Sequence, residues 1–276
     1  IYCSPIYAKP KFGKKLVWTN VDLKNSFPIH NYLTDFSNNS TGIQLKESIS
    51  NTSIQLRLNL ADQKYLKFDN TYLNYKYKNT IFGIGKVNRH WSFSPKSSLI
   101  LSSNARPPNS IYFNIKNNEK SENKLFSWAG PWSYEMFNAV LKIINPINNL
   151  KLEFVKTSQW AGDNTSSDIK TFRNAIIGNT NEYEYKDINQ LAGFGFSYII
   201  SPEQIPIEIY GQFIGEDEAG NLPSCYMNLI GGKLDFKNMM LSTKIGIEYL
   251  DTRIDETTNG NCGPNTAYNN QTYKYT

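Results

Sequence analysis

The chain is short of charge, of aliphatic bulk and of histidine. Only 19% of its 276 residues are charged and 39% are hydrophobic, against averages of about 25% charged and about 45–50% apolar with glycine counted. Its two histidines, His30 and His90, leave little for metal or triad chemistry. The three cysteines, Cys3, Cys225 and Cys262, form no CxxC and have no zinc spacing. They read as unrelated thiols, with a Cys225–Cys262 disulfide as the alternative in an oxidising compartment. No metal site and no cofactor are expected. No stretch approaches the roughly 20 consecutive apolar residues of a spanning helix, which excludes a helical membrane protein. The net charge of +5 is spread along the chain without a dense Lys/Arg block, which argues against a nucleic-acid partner.

Rings are abundant: 18 Tyr, 15 Phe and 5 Trp. Disordered chains lack aromatics, so disorder is excluded. What remains is an all-β protein, either soluble or a transmembrane barrel. Barrel strands alternate apolar and polar residues, so a mean hydropathy of -0.49 suits a barrel.

Period-2 alternation recurs along the chain. Ile54, Leu56, Leu58 and Leu60 oppose Gln55, Arg57 and Asn59. Leu73, Tyr75 and Tyr77 oppose Asn74, Lys76 and Lys78. Ile205, Ile207, Ile209, Gly211 and Phe213 oppose Pro206, Glu208, Tyr210 and Gln212. Thr243, Ile245, Ile247 and Tyr249 oppose Lys244, Gly246 and Glu248. The pattern predicts strands at 41–49, 53–60, 65–77, 81–87, 109–116, 124–128, 132–143, 150–158, 191–200, 206–214, 226–236 and 240–251, with a further one near 14–23. Long connections are expected at 88–108, 159–190, 215–225 and 252–275, and from residue 144 onward short and long connections alternate strictly. Short turns on one rim and long loops on the other mark an outer-membrane barrel with its long loops extracellular.

No linker or repeat divides the chain, which reads as one incomplete domain: residues 1–27 as an N-terminal remnant or first strand, and 28–276 as the barrel. The start at Ile1 suggests a fragment or a processed product, with Cys3–Ala8 as the tail of a signal peptide. The end, in a Tyr-rich stretch, reads as a cut.

Several segments carry candidate chemistry. Gly83-Ile84-Gly85-Lys86 lacks the spacing of a phosphate loop, and its glycines read as strand positions under bulky neighbours. Arg89, Trp91 and Arg106 belong to a loop that either offers groups to a sugar or folds into the barrel; the apolar run 99–101 favours packing. Trp128 and Trp132, around a Gly-Pro turn, form either a platform for a pyranose ring or an interfacial girdle. Trp160, Asp163 and Arg173 lie in the longest loop and combine a ring face with bidentate hydrogen bonding. Glu216, Asp217 and Glu218 put three acids in a tight loop. They read as partners of lysines and arginines, rather than as a glycosidase pair or a calcium site. A Ser-His hydrolase would need His90 beside a serine such as Ser92 together with a third partner.

The runs R-H-W-S (89–92), S-S-L-I-L-S-S-N-A-R-P (97–107), W-A-G-P-W (128–132), Q-W-A-G-D (159–163), N-Q-L-A-G-F (189–194), Y-G-Q-F-I-G-E-D-E-A-G-N-L-P-S-C-Y-M (210–227) and T-A-Y-N (266–269) occur in that order. Together they resemble the Wzi-type capsule-assembly outer-membrane proteins, from about residue 28 to the end. The usual Trp-Gly-Pro after the arginine is here Trp91-Ser92-Phe93-Ser94-Pro95. The resemblance implies an antiparallel outer-membrane β-barrel of roughly eighteen strands, of which about twelve are read here, with a helical region before residue 28 and final strands after 276. It also implies a noncatalytic, lectin-like anchor or assembly protein for capsular polysaccharide. Its partners would be that polymer, outer-membrane lipid and the capsule export machinery. The expected contacts are Trp160, Asp163 and Arg173, then Glu216, Asp217 and Glu218, then Arg89, Trp91 and Arg106, with Trp128 and Trp132. A porin or transport barrel is the second reading, and a surface glycosidase or lipase the third.

Overall fold

The computed structural model describes residues 15–21, 39–61, 65–102, 107–124, 126–137, 139–159, 168–177, 188–200, 206–219, 222–237 and 242–252. The chain divides into two compact units, Ile1–His90 with Leu101–Ile115, and Trp91–Ile100 with Lys116–Thr276.

The first unit holds β1 (Lys15–Val21), β2 (Asn39–Ile49), β3 (Thr52–Ala61), β4 (Tyr65–Lys67), β5 (Tyr72–Tyr77), β6 (Thr80–Lys86) and β7 (Asn109–Asn117). They run antiparallel in the order β1-β2-β3-β5-β6-β7, with β4 on β3. The expected strand 65–77 is broken by a turn in which Thr71 N donates to Phe68 O at 3.1 Å and Asn70 takes a φ of 64°. Asp69 and Asn70 are turn formers, and they override the flanking alternation. The β2–β3 and β5–β6 hairpins turn through Ser50 (φ 50°) and Lys78 (φ 51°), the left-handed geometry that matches strand twist.

The second unit holds β8 (Trp132–Met136), β9 (Ala139–Ile147), β10 (Leu150–Gln159), α1 (Ile169–Ile177), β11 (Asn189–Ile199), β12 (Ile207–Ala219), β13 (Leu222–Lys237) and β14 (Ser242–Asp251). Its strands pair antiparallel in chain order. Two expectations are corrected here. The strand 132–143 is two strands, because the chain reverses where Phe137 N donates to Ala139 O at 2.9 Å; no Gly or Pro marks this turn, so the apolar pattern runs through it. No strand forms among the described residues of 124–128: Ser127–Ala129 is a short 3-10 turn.

The segment 215–225 is no long loop either. Strand β12 continues through Glu216, Asp217 and Glu218 to Ala219, and Asp217 and Glu218 stand opposite Ser224 and Pro223. The ladder of a long hairpin outweighs the poor strand preference of acidic residues. The strict alternation of short and long connections therefore fails at this hairpin.

The two faces of these sheets are inverted relative to a soluble domain. On β3, Ile54, Leu56 and Leu60 are exposed while Gln55, Arg57 and Asn59 are buried. On β12, Ile207 and Ile209 are exposed while Tyr210 and Gln212 are 1% accessible. On β14, Ile247 is 79% exposed. A buried polar row behind an exposed apolar one is the informative departure from a water-soluble surface, and it is the arrangement of a membrane-spanning sheet.

Cys225 is disulfide-bonded. The reading of three unrelated thiols is corrected; Cys3 and Cys262 lie outside the described residues.

Candidate functional site

The most elaborate polar site lies on the buried face of β10–β14, where Trp91–Ile100 is held by side chains from β12 and β14, with one from β10 behind them. Gln212, at mid-β12, grips both ends. Its Oε1 accepts from Leu99 N at 2.8 Å, and its Nε2 donates to Trp91 O at 2.6 Å and to Glu153 Oε1 on β10 at 2.7 Å. Ser98 Oγ also donates to Trp91 O, at 2.8 Å. The Trp91 ring is 3% exposed and meets Phe137 edge-on at 5.4 Å.

The middle of the segment is tied to β14. Glu248 accepts from Ser94 Oγ, from Ser97 Oγ at 2.7 Å and from Tyr210 OH at 2.6 Å. Ser94 Oγ in turn accepts from Lys96 N at 3.1 Å and Ser97 N at 2.9 Å, closing a tight turn. Charge-assisted bonds of this kind are roughly twice as strong as neutral ones. Such donors offset the hydration that the half-buried Glu248 carboxylate gives up.

Two glycines make these bonds reachable. Gly195 stands between Glu153 and Gln212 in the register, and Gly231 stands between Tyr210 and Glu248. A Cβ on Gly195 would come within 2.8 Å of Glu153 Cγ, and one on Gly231 within 2.6 Å of the Tyr210 ring. Each carboxylate thus meets its partner across a strand that carries no side chain at that point. Toward the short-turn rim, Ser197 Oγ donates to Glu208 at 2.6 Å, and Glu208 pairs with Lys233 at 2.8 Å.

Of the residues predicted from sequence, Trp91 is packed inside, as the loop-packing reading requires. Arg89, in the first unit, lies over the Tyr112 ring at 4.9 Å and donates to Val87 O at 3.2 Å. Tyr112 OH reaches Asn74 across Gly83, so that glycine does sit under a bulky neighbour. Arg173 is exposed on α1. Trp128 is 61% exposed beside the start of β8, where Asn145 N donates to Pro131 O at 3.0 Å; this is the rim of the Asn148–Asn149 turn. Helix α1 lies at the opposite rim, beyond the end of β10. Trp128 and Trp132 are therefore not brought together with Arg173. Trp160, Asp163 and Arg106 lie outside the described residues, as do the side chains of Glu216, Asp217 and Glu218.

Sequence reasoning missed Glu153, Gln212, Tyr210, Glu248, Ser94 and Ser97. The signal was the polar half of the alternation on β12 and β14. Among the described residues no group of three His, Cys, Asp or Glu is placed to hold a metal.

The sequence pattern of the family described as capsule assembly protein Wzi matches residues 17–276. The chain belongs to that family. A solved structure described as Wzi, an outer membrane protein involved in group 1 capsule assembly in Escherichia coli and a carbohydrate-binding β-barrel, is 23% identical. It superposes with a TM-score of 0.70 over 95% of this chain and 59% of that one. The likeness shows the fold, an antiparallel β-barrel. An uncharacterized 55.8 kDa protein in the cps region of Klebsiella pneumoniae is 31% identical over 173 residues, covering 56% of this chain. The chain spans 34% of that relative's length.

Proposed function

We propose that this chain is part of a noncatalytic outer-membrane barrel that holds capsular polysaccharide on the cell surface, with its long connections extracellular. Membership of the Wzi family over residues 17–276 carries the reading. The interior geometry favours it over a porin. The segment Trp91–Ile100 is fixed against the inner wall by bonds to Gln212 and Glu248, where an open conduit would keep its wall clear. The buried Glu153 and the half-buried Glu248 are engaged by protein donors rather than directed at a substrate. This supports a binding role over a two-carboxylate glycosidase.

The polymer contacts belong to the rim that carries the 160–188 connection and the end of the β12–β13 hairpin. Trp160 and Asp163, with Glu216, Asp217 and Glu218, are the residues of choice there. Trp91 serves packing. The export machinery is a further partner, reached through the polymer.

Deleting the complete gene and measuring cell-bound against released polysaccharide tests the reading. An unchanged total with polymer shifted into the medium supports it. Unchanged retention overturns it and makes channel conductance the next measurement. In the full-length protein, Trp160→Ala with Asp163→Ala should abolish polymer binding without loss of folded barrel.

A further inference from the structure

Helix α1 wears its apolar stripe on the wrong side for a soluble protein. Thr171 and Ala175 are its buried residues. Ile169, 80% exposed, Ile177, 62% exposed, and the partly exposed Ile176 lie on the opposite arc, with Arg173 among them. At 3.6 residues per turn, positions 169, 173, 176 and 177 share a face turned away from 171 and 175.

The place where the helix is fastened gives this stripe a direction. Ala175 O accepts from Ser158 Oγ on β10 and from Gln190 Nε2 on β11, both at 2.7 Å. Ser158 and Gln190 face each other in the register, and they alternate in phase with Phe154 and Phe194, the exposed apolar pair four residues further down the same two strands. Glu153 and Val155 occupy the other, buried phase. The helix is therefore pinned to the outward face of the wall, and its isoleucines point the same way as the lipid-facing rings.

Four residues of strand rise about 13 Å, or about 10 Å in height at a barrel tilt near 40°. Phe154 is the fifth of the ten residues of β10, so a helix about 10 Å above it stands near the upper edge of an apolar band about 25 Å tall, where interfacial helices lie. The helix sequence IKTFRNAII contains Lys170 and Arg173 and no acid. That charge complements anionic phosphates, and isoleucine has no hydrogen bond to offer a sugar.

We infer that α1 is an interfacial helix that binds lipid of the outer leaflet, with Ile169, Ile176 and Ile177 among acyl chains and Lys170 and Arg173 against headgroup phosphates. The inference rests on the membrane placement proposed above, but needs no polymer.

The test is photocrosslinking in cells that make the full-length protein, with a benzophenone amino acid introduced separately at positions 177, 194 and 171. Lipid adducts at 177 and 194, read as a mass increase of one lipid, with little or none at the wall-facing position 171, are expected. Lipid adducts at 194 alone overturn the inference and leave the barrel intact. Polysaccharide adducts at 177 overturn it in favour of a glycan-binding helix. No lipid adduct at either 177 or 194 overturns both this inference and the membrane placement.

Discussion

Tyr210 OH reaches Glu248 at 2.6 Å across Gly231, the residue that separates them in the register of β12, β13 and β14. The same relation joins Gln212 to Glu153 across Gly195. In both places a missing side chain on the middle strand lets a polar group on one strand bond a carboxylate two strands away. Together these bonds fix an inward segment to the wall.

Replacing Gly231 with Ala should break the first relation, because the new Cβ falls 2.6 Å from the Tyr210 ring. Overpacking of this kind costs about 1–3 kcal/mol. Thermal unfolding of the full-length protein in detergent should show Gly231→Ala destabilised, and Tyr210→Phe as well, by loss of a hydrogen bond worth about 1.5–3 kcal/mol where the acceptor is charged. An Ala variant as stable as the parent would mean that the ring does not cross this glycine.

Gln212→Leu should free both ends of Trp91–Ile100 at once, removing the acceptor of Leu99 N and a donor to Trp91 O. Each buried group that loses its partner costs on the order of 1–3 kcal/mol. Hydrogen–deuterium exchange of peptides covering 91–100 should speed up while those from β2 and β3 keep their protection. Unchanged exchange at the Leu99 amide would show that Gln212 is not the clamp.

Trp91→Ala should act as a core truncation and cost about 3–5 kcal/mol, because the ring is buried against Phe137. Polymer bound per folded molecule should stay the same. If binding per folded molecule collapsed while the melting temperature held, Trp91 would be a sugar contact after all.

The disulfide at Cys225 should be measurable as stability. Cys225→Ser is expected to lose about 2–5 kcal/mol, the usual cost of removing a native bridge. Reductant should destabilise the parent and leave the variant's unfolding unchanged. A variant that still responds to reductant would place the stabilising bridge elsewhere.

The sequence by itself determined which residues share a face. Ile54 with Leu56, and Ile207 with Ile209, had to lie together, because side chains alternate in any extended backbone. It also carried the family, through motifs in a fixed order. Turns were legible where Asn79 and Asn149 announced them, and illegible at Phe137, where the apolar pattern passes through a reversal. The acids 216–218 looked like a loop because acidic residues are weak strand formers, and the hairpin ladder overruled them.

Only the tertiary structure decided which face is buried and what meets it. Gln212 clasps Leu99 across 113 positions of chain, and Ser94 reaches Glu248 across 154. Alternation is a property of a few neighbouring residues. These partnerships are set by sheet register and by the glycines that clear the way, and neither exists until the strands have paired.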